Sequence, residues 1–139
     1  MLKKLSLQDI KYIVNWDNHF SLKQLENMIS NINYFHYGIF NDQVVVGYIL
    51  ASVSDDVDLV WIYVESEYRH QGYATRLMNT LVKTYENKTI WLEVNKNNDV
   101  AITLYKKIGF ICTHERLNYY PNKDTAIIMK KQNKAKKQN

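Results

Sequence analysis

With 139 residues, 46% of them hydrophobic and 23% charged, and with one Pro and four Gly, the chain suits a single compact domain and excludes a collagen-like, low-complexity or disordered body. The longest apolar run, residues 44–53, is too short to cross a bilayer, and Met1-Leu2-Lys3-Lys4 lacks the apolar core and cleavage site of a signal peptide. The single cysteine, Cys112, rules out an internal disulfide and points to a reducing, cytoplasmic setting.

The formal net charge of +4 belongs to one end of the chain. Lys130, Lys131, Lys134, Lys136 and Lys137 lie in the last ten residues, which hold no acid. Without these five, 13 basic residues face 14 acids, so residues 1–129 carry about −1. The expectation is one domain over residues 1–130 and a basic, solvated tail over 131–139. Weak attraction to RNA or ribosomes is the sharper alternative for the tail.

In chain order, residues 2–5 read as a short strand. Ser6 then opens a helix as N-cap, with Asp9 at the third helical position and Leu5 and Ile10 placed as a hydrophobic staple. The pattern repeats at Ser21: Gln24 completes a capping box, Phe20 and Leu25 form the staple, and Leu22, Leu25, Met28 and Ile29 supply an apolar face. Residues 34–40 and 43–52 read as strands joined by a tight turn at Asn41-Asp42. Residues 57–64 are a third β run, rich in β-branched and aromatic side chains. In the helix that follows, Ala74, Leu77, Met78, Leu81, Val82 and Tyr85 recur at helical spacing. Residues 88–94 read as a strand, 98–108 as a helix, and 110–118 and 124–130 as closing strands. The order is mixed α/β.

Between the third β run and that helix lies Arg69-His70-Gln71-Gly72-Tyr73-Ala74. Backbone N–H groups at a helix start are unpaired and carry the positive end of the dipole, so they suit a pyrophosphate. Gly72 lets the backbone curl and come close to a ligand, and Ala74 is small enough for the helix to pack on a sheet. Alone, the same residues fit an ordinary strand-to-helix turn. A second segment changes the balance: Trp91-Leu92-Glu93-Val94, then Asn98, Ala101, Leu104-Tyr105 and Gly109-Phe110.

Over nearly its whole length the chain resembles the GCN5-related N-acetyltransferases. That family's coenzyme A signature is Arg or Gln, two residues, Gly, one residue, then Gly or Ala, and Arg69, Gly72 and Ala74 meet it. The run from Trp91 to Phe110, with Asn118-Tyr119-Tyr120-Pro121 and residues 124–129, is similar to the RimI-type ribosomal-protein alanine N-acetyltransferases. The resemblance implies an α/β (α+β) fold with a central mixed, mostly antiparallel sheet of about seven strands and about four helices on its faces. It implies acetyl-coenzyme A as cosubstrate, no metal, Glu93 as general base and Tyr105 as general acid. Coenzyme contacts are implied for Ile62, Tyr63 and Val64 at a strand end, for Arg69, His70, Gln71, Gly72, Tyr73, Ala74 and Thr75 in the turn, and for Asn98. Tyr119 and Tyr120 are placed for the acceptor. Tyr63 stands where the group usually has a small residue, and His70 replaces a more usual Arg.

Acetyl transfer from a thioester needs a neutral amine, a destination for its proton and help for the departing thiolate. Glu93 lies on a strand with apolar Ile90, Leu92 and Val94, so a partly desolvated carboxylate of raised pKa is expected there, able to take a proton directly or through water. Tyr105 falls on the apolar stripe of Ala101, Leu104 and Ile108, where it reads either as a core tyrosine or as the acid for a thiolate whose parent thiol has a pKa of about 8.5. No Gly-x-Ser-x-Gly elbow occurs, and Cys112 is expected as a buried, inert thiol. His19, His36, His70 and His114 lack metal-ligand spacing, which leaves direct attack of the amine.

At pH 7 an α-amine costs about 1 kcal/mol to deprotonate against roughly 4.6 for lysine. This favours the N-terminal α-amine of a ribosomal or other protein that starts with Ala. The alternatives are a small amine (a polyamine or aminoglycoside) or lysine, with Asp55, Asp56 and Asp58 as an acidic patch. More distant are a non-catalytic coenzyme-binding protein and an RNA-associated protein. No membrane partner and no specific nucleic-acid partner are expected.

Overall fold

The structure is a computed structural model and describes residues 1–132, so the expected tail falls almost wholly outside the described residues. In order the elements are β1 (Leu2–Lys3), α1 (Leu7–Ile13), α2 (Leu22–Ile29), β2 (Tyr34–Asn41), β3 (Val44–Val53), β4 (Val57–Val64), α3 (Tyr73–Thr84), β5 (Ile90–Asn95), α4 (Asp99–Ile108), β6 (Ile111–Arg116) and β7 (Ala126–Lys131). The strands form one sheet in the order β1-β2-β3-β4-β5-β7-β6. The β4–β5 pair is parallel and the other neighbours are antiparallel. This is the mixed, mostly antiparallel architecture that the resemblance implies.

The first two helix starts are set locally. Asp9 N–H donates to Ser6 Oγ at 3.2 Å and Ser6 N–H to Asp9 Oδ2 at 2.8 Å; Gln24 and Ser21 repeat the exchange at 3.1 and 2.8 Å. Each box satisfies backbone N–H groups that the helix itself cannot pair. The β2–β3 hairpin turns one residue later than expected. Asn41 pairs with Val44, which leaves Asp42 and Gln43 as the loop, both with positive φ (52° and 73°). Two such residues match the turn whose twist suits antiparallel strands.

β1 stops at Lys3 rather than Leu5, because the Leu5 N–H donates to His36 Nδ1 at 3.0 Å instead of to a neighbouring strand. Burial, aided by the charge of Lys4, holds the His36 pKa below its ordinary value, while a backbone hydrogen bond at Ile29 works the other way. Protonation at Nδ1 would break the bond to Leu5. The unfolded chain therefore takes up this proton more readily than the folded one. The stabilisation is present above the unfolded value of about 6.5 and is lost as pH falls below it. Asn at this position offers an acceptor that does not titrate. Thermal melts should show His36→Asn losing less stability than the parent between about pH 7 and about pH 5.5.

Two cores flank the sheet. On one face Leu77, Met78 and Leu81 of α3 and Tyr105 of α4 pack with Ile49, Ile90, Leu92 and Val94. On the other, Ile10 and Ile13 of α1 and Leu25 of α2 pack with Val45, Tyr48 and Leu50 of β3. β6 is an edge strand and is exposed along its whole length, Cys112 included. The expected buried thiol is therefore corrected. Apolar neighbours suggested cover, but the strand order leaves β6 without a covering layer, and Ile111 itself is 58% exposed. Among the described residues no helix is long and apolar enough to cross a membrane.

Candidate active site

β4 and β5 are paired only at Val57↔Ile90 and Asp58↔Trp91, and beyond those positions they part. β4 also carries an extra residue. Leu50 and Ala51 of β3 pair with Trp61 and Leu59, which leaves Val60 as a bulge. A bulge bends its strand and increases the local twist, here at the point where β4 leaves its neighbour. The resulting cleft measures about 680 Å³ and runs between residues 59–64 of β4 and 93–95 of β5.

The turn after β4 brings α3 to this cleft. His70 and Gly72 both have positive φ (63° and 84°), which curls the backbone ahead of the helix. No side chain among the described residues caps α3, so its first N–H groups and the positive end of its dipole serve the cleft. A helix start of this kind suits an anion. A Cβ built on Gly72 meets no described atom within 4 Å, so the glycine supplies the positive φ and keeps the space before the helix clear. Arg69 is fixed against the end of β4: its Nε donates to the Val64 carbonyl at 2.8 Å, and its guanidinium lies 5.0 Å from the centre of the Tyr63 ring. Asn98 caps α4 by accepting the Ala101 N–H at 3.1 Å, so any contact with a ligand falls to its amide NH₂ end.

Strand alternation then separates two sides. Leu92 and Val94 face α3 and α4, which sends Glu93 and Asn95 to the opposite face. Glu93 is exposed there. The expected partial desolvation is corrected, since the helices that cover its apolar neighbours lie on the other side of the sheet. Tyr105, on the buried face of α4, is 6% exposed, and burial pushes its hydroxyl up to about 12. Tyr120 is also pushed up to about 12, by burial and then by the charge of Glu93 and a hydrogen bond with it.

Of the expected coenzyme contacts, Ile62, Tyr63, Val64, Arg69, His70, Gly72, Tyr73, Ala74, Thr75 and Asn98 line the cleft, together with Glu93, Tyr105 and Tyr120. Gln71 and Tyr119 do not. Gln71 donates its amide to the Glu67 carbonyl at 3.4 Å, and Tyr119 is 46% exposed, edge-on to Tyr120.

The sequence reading missed the device that holds Tyr120 in place. Asn95 Nδ2 and Asn122 Nδ2 both donate to Asp124 Oδ2 at 2.9 Å, and the backbone N–H groups of Tyr119 and Tyr120 donate to the Asp124 carbonyl. These amide donors hold the Asp124 carboxyl below its ordinary pKa. The β6–β7 loop is thereby tied to the end of β5, beside Glu93. Among the described residues no group of three or more His, Cys, Asp or Glu side chains is placed to hold a metal ion.

A family model described as the acetyltransferase (GNAT) family matches residues 5–110. A [ribosomal protein bS18]-alanine N-acetyltransferase of Haemophilus ducreyi is 27% identical over 130 residues, covering 88% of this chain and 87% of that protein. The enzyme of the same description from Escherichia coli K12 is 37% identical over 95 residues, which is 64% of this chain and 64% of its own length. The crystal structure of the ribosomal-protein alanine N-acetyltransferase from Escherichia coli superposes with a TM-score of 0.86 at 26% identity, over 94% of this chain and 92% of that one. A sheet split between its parallel strands, a helix start facing the split and these matches lead to one conclusion: the chain belongs to the acetyltransferase (GNAT) family and is an acetyl-coenzyme A-dependent N-acetyltransferase.

Proposed function

We propose that the acceptor is the N-terminal α-amine of a protein that begins with a small residue such as Ala, and that a ribosomal protein is the partner. The observation that carries this reading is the two-sided cleft: an anion site at the start of α3, with Glu93 and Tyr120 directed to the other face of the sheet. A coenzyme seated at the α3 turn directs its thioester into the gap, and a chain end reaches it from the Glu93 side. The names of the Haemophilus and Escherichia relatives support the same acceptor. A cytoplasmic location follows from such a partner, and residues 1–130 form the catalytic domain.

The assigned roles follow from chemistry. The turn at residues 69–75 and the Asn98 amide hold the diphosphate end, and the backbone of residues 62–64 guides the pantetheine arm. The amine nitrogen attacks the thioester carbonyl, Glu93 receives the ammonium proton directly or through water, and the C–S bond breaks to give the thiolate. Tyr105 stays neutral throughout. With its hydroxyl at about 12 and the thiol at about 8.5, full proton transfer to sulfur runs uphill. Its main contribution is therefore a hydrogen bond donated to the departing sulfur, after which solvent supplies the proton.

The test compares three acceptors at equal concentration: a peptide with a free N-terminal Ala, the same peptide blocked at its N-terminus but carrying an internal Lys, and a polyamine. The free peptide is expected to react at least about tenfold faster. Preference for the blocked peptide or the polyamine replaces this acceptor with a lysine or a small amine.

A further inference from the structure

On the acceptor side the cleft has an aromatic wall. Ile62 and Val64 of β4 pack toward α3, and alternation turns Trp61 and Tyr63 to the face that Glu93 shares. The Tyr63 ring runs nearly parallel to Trp16 (6.1 Å, 13°) and to Trp61 (6.1 Å, 10°), and His19 lies flat on Trp61 at 3.4 Å and 1°. The wall is pinned by Asp17, a carboxylate only 6% exposed. It accepts the Tyr48 hydroxyl at 2.6 Å, Trp61 Nε1 at 3.0 Å and the His19 N–H at 3.1 Å. A buried carboxylate is tolerated only while donors satisfy its oxygens. Swinging Trp61 aside would remove one of those donors. Tyr63 is confined by Trp16, Trp61 and the guanidinium of Arg69.

We propose that this Asp17-pinned stack sets the size of the first acceptor side chain, with Tyr63 and Trp61 as the surfaces that meet it. The inference rests on the α-amine reading above and deepens it. Held by these contacts, the wall favours a hydrogen, a methyl or a hydroxymethyl group beside the amine. It turns away branched and longer side chains by steric conflict. Tyr63 provides bulk where the resemblance leads one to expect a small residue, so the restriction belongs to this chain's own residues. Asp17 is a positioning residue and acts through Trp61.

The experiment measures kcat/KM for peptides that differ only in a first residue of Gly, Ala, Ser, Val or Leu, with the parent protein, Tyr63→Ala, Tyr63→Val, Trp61→Phe and Asp17→Asn. The readout is the Ala-to-Leu ratio within each protein, which a general loss of activity does not move. The parent should prefer Ala by at least about tenfold, a discrimination of the size a hydrophobic pocket supplies. Tyr63→Ala should lower that ratio by about tenfold, and Tyr63→Val does the same job with a β-branched side chain if the Ala variant folds poorly. Trp61→Phe and Asp17→Asn, which free the wall without removing it, should lower it by about threefold. A parent with no preference for Ala, or an unchanged ratio in both Tyr63 variants, overturns the gauge and leaves the α-amine reading standing. A parent that acetylates none of these peptides but does acetylate a polyamine or an internal Lys overturns both.

Discussion

Glu93→Gln should lower turnover by about 10²–10⁴-fold, the range typical of a positioned general base, while affinity for acetyl-coenzyme A stays within about twofold. The shape of the pH profile is more diagnostic than the size of the loss. An α-amine with a pKa near 7.7 is only about 2% neutral at pH 6. Without Glu93 to collect its proton, the variant depends on that small neutral fraction, so its rate should climb steeply with pH and recover part of the loss above about pH 8. The parent should show a shallower rise. Glu93 is exposed, so the substitution disturbs no core packing and the melting temperature should hardly change. A loss below about tenfold, or a parallel fall at every pH, would remove Glu93 from this role.

Gly72→Val carries the second large effect, on coenzyme binding. Gly72 sits at φ 84° directly before α3, and an added side chain points into space that holds no described atom within 4 Å. Inside the protein the change therefore costs only the strain of a β-branched residue in left-handed backbone, about 1–3 kcal/mol. For a diphosphate approaching the first N–H groups of the helix, the same side chain is an obstacle. Calorimetry should show acetyl-coenzyme A binding weakened at least about tenfold, with the folded protein retained. Gly72→Ala separates the two effects, because it brings comparable strain with less obstruction and should weaken binding less. Unchanged affinity in the Val variant would mean that the diphosphate lies elsewhere.

What could be read in the sequence, and what could not, divides by the range of the interactions. The capping boxes at Ser6 and Ser21 involve residues three apart, and they were legible as written. So was the curl of the backbone at Gly72 ahead of α3, because the glycine and the helix start are adjacent in the chain. The hairpin turn slipped by one because register is decided by pairing along both whole strands. Cys112 and Glu93 were misjudged for burial for a single reason. Whether a strand face is covered depends on which helices cross it and on the β5-β7-β6 order, and neither is visible in six residues of alternating pattern. The contacts that shape the acceptor side are longer still. Asp17 reaches Trp61 across 44 positions and Asn95 reaches Asp124 across 29, and neither acid carries a motif.

The two paired positions that join β4 to β5, Val57↔Ile90 and Asp58↔Trp91, have a consequence for the life of the protein as well as for its chemistry. Among the described residues they are the strand pairing between the block β1–β4 and the block β5-β7-β6, to which the side chains of Trp91 and Lys88 add bonds to Asp56 and the Ser54 carbonyl, so the helices supply much of the remaining cohesion. With the coenzyme placed in the cleft as proposed, it would touch both blocks and bind only the folded state. At a hundred times its dissociation constant, such a ligand adds about 2.7 kcal/mol of stability. The enzyme's resistance to proteolysis is thus expected to follow the cell's acetyl-coenzyme A supply: durable when the acyl donor is plentiful, and cleared faster when there is little left to transfer.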